Sequence, residues 1–187
     1  MKAINKRTLI LTSIVILLPM LFGLALWNRL PEQMPTHFDF SGTVDGYSSR
    51  LFAVVGLPLF LLAMQLFCAV MLRADPKKQN ISEKMAQLVL WVCPAASLFV
   101  GLSMYLSALG FAINVSRFGM IFVGLLFIAI GNYLPKCRHN YTVGIRLPWT
   151  LDNEDNWNHT HRFAGYVWII AGVVTLLSVF LGHATVV

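Results

Sequence analysis

Long apolar stretches alternate with short polar segments along this chain. Five stretches contain no Asp, Glu, Lys, Arg or His, and they cover residues 8–27, 51–72, 85–109, 118–134 and 163–181. Each approaches the ~20 residues that a helix needs to cross about 30 Å of hydrocarbon. Segments in lipid have to satisfy their own backbone hydrogen bonds, so these stretches should be helical. The pattern predicts an all-α integral membrane protein, a bundle of about five transmembrane helices forming one membrane domain (1–187).

The composition agrees with this pattern, because 57% of the residues are hydrophobic, against about 45–50% in soluble domains. The first stretch is longer than the core of a signal peptide, and no small-x-small cleavage site follows it. We therefore expect it to stay in the protein as a span. Pro19 and Pro94 lie inside the first and third stretches and should kink these helices rather than end them.

The net charge of +6 is explained by the distribution of basic residues over the loops, which predicts the orientation of the protein in the membrane rather than direct nucleic-acid binding. When alternate loops are assigned to alternate sides, eleven Lys and Arg residues fall on one side and three on the other. The three are Arg29, Arg50 and Arg117. Because basic loops stay in the cytoplasm, the N-terminus should be cytoplasmic and the C-terminus extracytoplasmic.

The loop over residues 28–50 should then be extracytoplasmic. Pro31 and Pro35 prevent a regular helix and favour extended backbone before them. Ser41-Gly42 and Asp45-Gly46 are turn signals. The sequence predicts a short ordered hairpin or turn here. The basic loop near residues 73–84, in contrast, is expected to be a solvated connector.

The ordered cytoplasmic loop lies within residues 131–165 and concentrates charge and aromatic rings. Pro135 and Pro148 predict irregular backbone at its start. A helix should begin at Asp152, which would cap it, with Glu154 and Asp155 in the first turn. That helix should continue into the last span, and its four-three-four spacing places one set of side chains on a single face: Trp157, His161, Ala164 and Trp168.

The spacing of reactive residues argues against metal or catalytic chemistry. His159 and His161 project about 200° apart on a helix, so one ion cannot readily use both. No HExxH, CxxC or GxSxG pattern occurs. We predict no metal, no cofactor, no catalytic residue and no enzyme activity. The three cysteines are interpreted as buried structural thiols.

Transport is the alternative function. Coupled carriers usually place ionisable groups within the bilayer, whereas these spans offer uncharged polar groups such as Gln65 and Thr175. Cys93, Ser97 and Gly101 share a small-residue face, which indicates helix packing rather than a conduit.

Two segments resemble a known family, the SdpI-type immunity proteins of bacteria. The stretch "GNYLPKCRHNYTVGIRLPWTLDNEDNWNHTHRFAG" resembles the family signature, and "LPEQMPTHFDFSGTVDGYSSR" resembles a small N-terminal domain often joined to it. The site residues implied for the cytoplasmic platform are Asn140, Gly144, Arg146, Pro148, Trp149, Thr150, Trp157, Thr160, His161 and Arg162. Those of the outer loop are Pro35, His37, Phe38, Asp39, Gly42 and Asp45.

The resemblance implies a multi-pass protein of a bacterial plasma membrane that protects the cell against a secreted, membrane-active peptide toxin. It also implies, for at least one type, signalling by holding a transcriptional repressor at the membrane. The expected partners are thus the lipid bilayer, a peptide toxin at the outer face and a cytoplasmic repressor.

Two interpretations of the cytoplasmic loop stay open at this point. It could be a structural clasp in which Arg146 and Arg162 pair with Asp152, Glu154 or Asp155, or it could be a contact surface for a partner. Trp149 and Trp157 are expected to anchor at the membrane interface.

Overall fold

A computed structural model describes residues 4–181, which form two compact units. The hairpin unit contains Asn5–Ala69 and Val89–Ser116. The signature unit contains Ile4, Val70–Leu88 and residues 117–181. The C-terminal residues 182–187 lie outside the described part of the chain, and the extracytoplasmic position of the C-terminus therefore stays a prediction.

Helices dominate both units. They are α1 (Lys6–Ala25), α2 (Leu57–Ala74), α3 (Glu83–Ala108), α4 (Val115–Tyr133), the short α5 (Pro148–Asp152) and α6 (Glu154–Leu181). A π-helical turn, Phe52–Gly56, leads directly into α2. Within residues 4–181, five helices are long and apolar enough to cross a membrane, which confirms the predicted fold class.

The first four of these helices, counted with the π turn before α2 and the short turn after α4, cover Lys6–Ala25, Phe52–Ala74, Glu83–Ala108 and Val115–Lys136. Their ends lie within three residues of the ends of the first four apolar stretches. The last helix begins at Glu154, well before the apolar stretch, and it continues unbroken into that stretch as predicted. Pro19 and Pro94 lie inside α1 and α3, and both helices continue through them.

The outer loop forms the predicted hairpin. Strand β1 (Gln33–Phe38) pairs antiparallel with β2 (Val44–Ser49). Gly42 adopts a positive φ of 87° at the turn, where a residue without Cβ is favoured. The second turn signal was wrong, because Gly46 lies inside β2 opposite His37. Glycine is required there for close approach, since a Cβ on Gly46 would lie 2.7 Å from the Cβ of His37.

The hairpin unit has its own apolar core. Met34 of β1 is fully buried and belongs to one cluster with Val54 and Tyr105, so the hairpin is attached to helices by hydrophobic packing. Arg50 adds polar contacts, because its guanidinium donates to the carbonyl oxygens of Trp27 (2.9 Å) and Pro31 (3.2 Å). The hairpin is therefore an ordered element.

Hydroxyl groups join α3 to α1 inside the hairpin unit. Ser97 Oγ donates to Ile16 O at 2.8 Å, and the Tyr105 hydroxyl donates to Pro19 O at 2.9 Å. Gly101 lies against Pro19, whose Cβ would be 2.6 Å from a Cβ on the glycine. This small-residue face therefore packs one helix against another, as the sequence indicated.

In the signature unit, α4 and α6 cross at glycines. A Cβ on Gly131 would lie 2.9 Å from Gly165 O, and one on Gly172 would lie 2.7 Å from Gly124 O. The backbones therefore approach as closely as the absence of side chains allows. This crossing packs α6, the helix that carries Trp157 and His161, against α4.

Candidate functional site

His161 connects α6 to the irregular loop before it. Its Nε2 lies 2.9 Å from the backbone N–H of Ile145. Because an N–H can only donate, Nε2 accepts, and Nδ1 carries the proton that is donated to Trp157 O at 2.8 Å. The imidazole is neutral in this arrangement, uses both nitrogens and is 1% exposed. It is a structural link between loop and helix.

Trp157 provides the surface on which this link is packed. Its side chain is fully buried, its ring stacks on His161 with centroids 4.0 Å apart, and its Nε1 donates to Cys137 O at 2.7 Å. The expected membrane-interface anchor is therefore wrong for Trp157. Trp149 is 57% exposed and remains available at the surface.

Gly144 allows the loop to pass over this ring. Its φ is 115°, and a Cβ there would lie 3.1 Å from the Trp157 ring and would meet His161 Nε2. Any other residue would be strained and would displace the histidine. Close contact with Trp157 and His161 thus explains why a glycine is required at position 144.

Asn140 and Thr150 fold the loop on either side of Gly144. The buried Asn140 side chain accepts from the N–H groups of Thr142 (2.9 Å) and Val143 (2.7 Å) and donates to Arg138 O (2.8 Å). The Thr150 hydroxyl donates to Ile145 O at 2.8 Å and accepts from Leu147 N at 2.9 Å. Both side chains replace the backbone hydrogen bonds that an irregular segment lacks.

Asp75 is a central residue that the sequence interpretation missed. Its buried carboxylate accepts from Tyr141 N (2.9 Å), the Thr142 hydroxyl (2.6 Å) and Lys77 N (2.7 Å). The loop near residues 73–84 is therefore not a solvated connector. The Asp75-Pro76 pair, a turn signal within a basic loop, is the feature that could have indicated it.

His139 extends the same contact between the two loops. Lys77 Nζ lies 2.7 Å from His139 Nδ1, and Asn80 Nδ2 donates to His139 O at 2.8 Å. The imidazole also meets the Trp157 ring edge-on, with centroids 5.1 Å apart. We call the joined set Asp75, His139, Asn140, Gly144, Thr150, Trp157 and His161 the clasp.

The charged residues of the platform do not build the clasp as expected. Among residues 4–181, neither Arg146 nor Arg162 forms an ion pair with Asp152, Glu154 or Asp155. Arg146 instead donates to Tyr141 O at 3.0 Å, and Arg162 is exposed. The clasp depends on hydrogen bonds and ring packing rather than on ion pairs between Arg146 or Arg162 and these acids.

The helix start is also displaced from its predicted position. Asp152 ends α5, whose first residue is Pro148, and Asn153 caps α6 by accepting from Asp155 N (2.8 Å) and Asn156 N (3.1 Å). Thr160 follows on α6 and is half-buried. The sequence therefore placed the cap of α6 one residue early, at Asp152 instead of Asn153, since both Asp and Asn are good caps.

Cys137 is buried beside the clasp. Its Sγ lies 3.4 Å from Val143 O and 3.5 Å from Asn140 Nδ2. Burial raises the pKa of the thiol to about 11. A thiol held in its protonated form is a poor nucleophile and metal ligand, which agrees with a structural role.

The outer-loop residues gather on the hairpin. His37 Nδ1 and Asp45 Oδ1 form an exposed pair at 2.5 Å, Pro35 is buried and Phe38 is half-buried. The Asp39 carboxylate accepts from Ser41 Oγ (2.7 Å) and Thr43 N (2.8 Å), and these bonds hold the pKa of Asp39 below its ordinary value. The hairpin thus has a fixed polar turn.

Phe40, at the end of the hairpin, is fully exposed. Its carbonyl oxygen accepts from Ser116 Oγ at 2.7 Å, so the turn that carries the ring is held in place. Phe40 is a candidate contact residue, because its exposed ring is carried by an ordered turn within the outer-loop motif.

Residues 4–181 contain no group of three His, Cys, Asp or Glu side chains arranged to hold an ion. His159 and His161 both lie on α6, where their spacing directs them apart.

Together these features define a multi-pass α-helical membrane protein with an ordered hairpin and a clasped signature loop. A family model described as the SdpI/YfhL protein family matches residues 136–187, and one described as a domain of unknown function (DUF1648) matches residues 14–62. The resemblance seen in the sequence is thereby confirmed.

A curated relative extends this similarity along the chain. Immunity protein SdpI of Bacillus subtilis (strain 168) is 25% identical over 179 residues, which is 93% of this chain and 83% of that protein. No solved structure matches the chain significantly.

Proposed function

We propose that this chain is an immunity or toxin-sensing protein of a bacterial plasma membrane, which protects the cell from a secreted, membrane-active peptide. One observation carries the proposal: the similarity to Immunity protein SdpI extends over 93% of the chain and so includes both the hairpin and the clasp. The protein acts by binding rather than by catalysis.

The hairpin supports a role in recognition. It presents the exposed Phe40 at its turn and the exposed polar pair His37–Asp45 on its strands. A membrane-active peptide is amphipathic and so offers matching apolar and polar groups. The peptide would meet the hairpin at the outer surface, on the side with few basic residues.

The clasp supports a role in signalling the presence of toxin to the cytoplasm. It fixes the cytoplasmic loop to the start of α6 and leaves Trp149, Arg146 and Arg162 exposed. In the signalling form of the proposal, a transcriptional repressor binds these exposed groups when toxin occupies the hairpin. The buried residues of the clasp then maintain the shape of the surface rather than contact the repressor.

The test is survival of toxin-sensitive cells. The chain is expressed at verified membrane abundance, an SdpC-type peptide is added, and membrane potential is followed with a dye. We expect the potential to be retained, and retention in a strain lacking the transcriptional response would assign protection to the protein itself. Loss of potential at normal abundance would contradict the proposal.

A variant of the hairpin tests where recognition occurs. Phe40→Ser should abolish protection at unchanged abundance, because it removes the exposed ring and leaves the turn bonds of Asp39 intact. Tyr47→Ser, which changes another exposed ring on the same hairpin, is the matched control and should still protect. Equal protection by Phe40→Ser would remove the hairpin tip from the proposal.

A small-solute or peptide transporter is the alternative function. It is supported by Gln65, whose buried side chain donates to Thr12 (2.9 Å) and Ser13 (3.1 Å), while its Oε1 accepts no hydrogen bond within residues 4–181. Loss of protection in Gln65→Leu, with hairpin variants unaffected, would favour transport over binding at the surface.

A further inference from the structure

Two cationic side chains contact Tyr141 in the signature unit, Lys77 at its ring and Arg146 at its backbone carbonyl oxygen. Lys77 Nζ lies 5.5 Å from the centroid of this ring, and Arg146 Nη1 lies 3.0 Å from the Tyr141 carbonyl oxygen. The Tyr141 side chain is 43% exposed. Among residues 4–181, neither Lys77 nor Arg146 forms an ion pair with an acid.

The acid closest to them in the hydrogen-bond network faces inward. Asp75 is 4% exposed, and its oxygens are used by the N–H groups of Lys77 and Tyr141 and by the Thr142 hydroxyl. It positions the backbone that carries the two cations. Within residues 4–181 the two cations thus have no acidic ion-pair partner, and their remaining donors are available to an external anion.

The positions of both cations are fixed by the clasp. Lys77 Nζ is held at His139 Nδ1 (2.7 Å), and Arg146 follows directly after Ile145, whose N–H is bound by His161. Both side chains have further N–H donors, because an ammonium and a guanidinium each carry several. Held in place, they lose less conformational freedom on binding than two mobile surface side chains would.

Apolar side chains stand next to this cluster on the same loop. Leu147 is 37% exposed and Trp149 is 57% exposed. Cationic and aromatic side chains in one short segment next to a spanning helix are typical of contact with the lipid headgroup region. The loop follows α4 after a single short turn, Leu134–Lys136, so it lies close to the end of a span.

We propose that Lys77, Tyr141 and Arg146 form a binding site for the headgroup phosphate of an anionic phospholipid, with Trp149 inserted at the same interface. The guanidinium and ammonium would bind the phosphate oxygens, and the tyrosine hydroxyl would donate to the headgroup. The loop lies on the side with the basic excess, and the cytoplasmic leaflet is the anionic one. This site is independent of toxin recognition.

The experiment measures lipid selectivity with the full-length protein in bilayers. Spin-labelled phosphatidylglycerol and phosphatidylcholine are compared in phosphatidylcholine vesicles, and the association constant of each relative to the host lipid is obtained from the immobilised fraction. We expect a preference for phosphatidylglycerol that falls about fivefold in Arg146→Gln, since each cation near an anionic surface contributes roughly that factor. It should also weaken in 1 M salt, because screening acts on exposed charges.

The matched control is Arg29→Gln, which removes one exposed cation from the hairpin unit and should leave selectivity unchanged. Lys77 also holds His139, so Lys77→Arg serves as a second variant that keeps the charge and should keep the preference. Equal association of the two lipids with the natural chain would overturn the proposal. So would unchanged selectivity in Arg146→Gln, or displacement of the labelled lipid by millimolar inorganic phosphate, which would indicate a soluble anion instead.

Discussion

His161 joins two segments of the signature unit whose bonded residues, Ile145 and His161, are sixteen positions apart. The sequence places this histidine on the same helix face as Trp157, and the structure shows that face turned toward the loop. Each ring nitrogen has a backbone partner, so the imidazole replaces secondary structure that the loop does not form. The contacts of this one side chain therefore hold the loop to the start of α6.

His161→Ala should destabilise the protein by about 2–4 kcal/mol, because it leaves the Ile145 N–H without its acceptor and opens space beside Trp157. The measurement is the thermal unfolding midpoint in detergent, together with abundance in the membrane. His159→Ala is the matched control, since His159 is exposed on the same helix and its loss should be nearly neutral. Equal midpoints for the two variants would exclude the structural link.

Cys137 should react slowly with alkylating reagents at pH 8 and faster as the pH approaches 11, because burial raises the pKa of its thiol from 9.0 to about 11. The folded state therefore favours the protonated thiol. Its contribution to stability is present below pH 9 and is lost between pH 9 and 11.

The reactivity of Cys137 is measured in a Cys68→Ala, Cys93→Ala background with a charged maleimide. The control carries Arg138→Cys with Cys137→Ala, which moves the thiol by one residue to an exposed position. Similar labelling rates for the two proteins at pH 8 would show that Cys137 is accessible in the folded state.

At the scale of elements, the two loops of the signature unit act as one piece. The Asp75 carboxylate binds Tyr141 N across 66 residues of sequence, and Asn80 binds His139 O across 59. The connector between α2 and α3 is thereby part of the clasp. The loop near residues 73–84, which the sequence predicted to be solvated, is ordered by hydrogen bonds to residues 139–142, far away in the sequence.

Asp75→Asn should lower the free energy of unfolding by about 2–3 kcal/mol, because an amide NH₂ would face N–H donors that now meet a charged acceptor. The rate of limited trypsin digestion at Lys77 and Lys78 measures how mobile the connector between α2 and α3 becomes, and the thermal unfolding midpoint measures the loss of stability. Asp152→Asn makes the same chemical change at an exposed position and should alter neither. Unchanged digestion in Asp75→Asn would mean that the connector is held by other contacts.

The crossing of α4 and α6 depends on glycine. Gly172→Ala should lower stability by about 1–3 kcal/mol, because the added Cβ would lie 2.7 Å from Gly124 O and a backbone atom cannot turn away. Thermal unfolding of the purified protein measures the effect. Val173→Ala, at the next position and 42% exposed, is the control and should cost less. A neutral Gly172→Ala would show that the crossing has room to adjust.

At the scale of the whole molecule, the described spans are strongly apolar. The helices Lys6–Ala25 and Phe52–Ala74 have a mean hydropathy of 2.4 and 2.3, and the polar side chains inside them bond to neighbouring helices or to their own backbone, as Thr12 does with Thr8 O. Charged residues lie in the loops and toward the ends of the helices, as Lys6, Arg73 and Glu83 do. The distribution of Lys and Arg therefore predicts the orientation in the membrane.

Orientation can be measured directly. In a cysteine-free background, Ser41→Cys on the hairpin should react with an impermeant maleimide added to intact cells, and Asp152→Cys should react only after the cells are opened. Both positions are exposed, so accessibility on either side is comparable. The opposite pattern would reverse the assigned sides and with them the cytoplasmic position of the clasp.

The sequence by itself determined the elements. Apolar length predicted the five spans because partition into lipid is a property of each segment alone. Local backbone preferences predicted the hairpin, with Gly42 at its turn, and the single helix that leads into the last span. The spacing of Trp157 and His161 also predicted that they share a face.

Only the tertiary structure decided what these elements touch. Asp75 and Asn80 gain their roles from partners more than fifty residues away, and the pairing of Gly131 with Gly165 follows from a helix crossing. The expected arginine–acid pairs are replaced by neutral hydrogen bonds around His161, because that buried side chain finds backbone donors and acceptors within reach. Such contacts depend on three-dimensional proximity, which no local pattern of residues encodes.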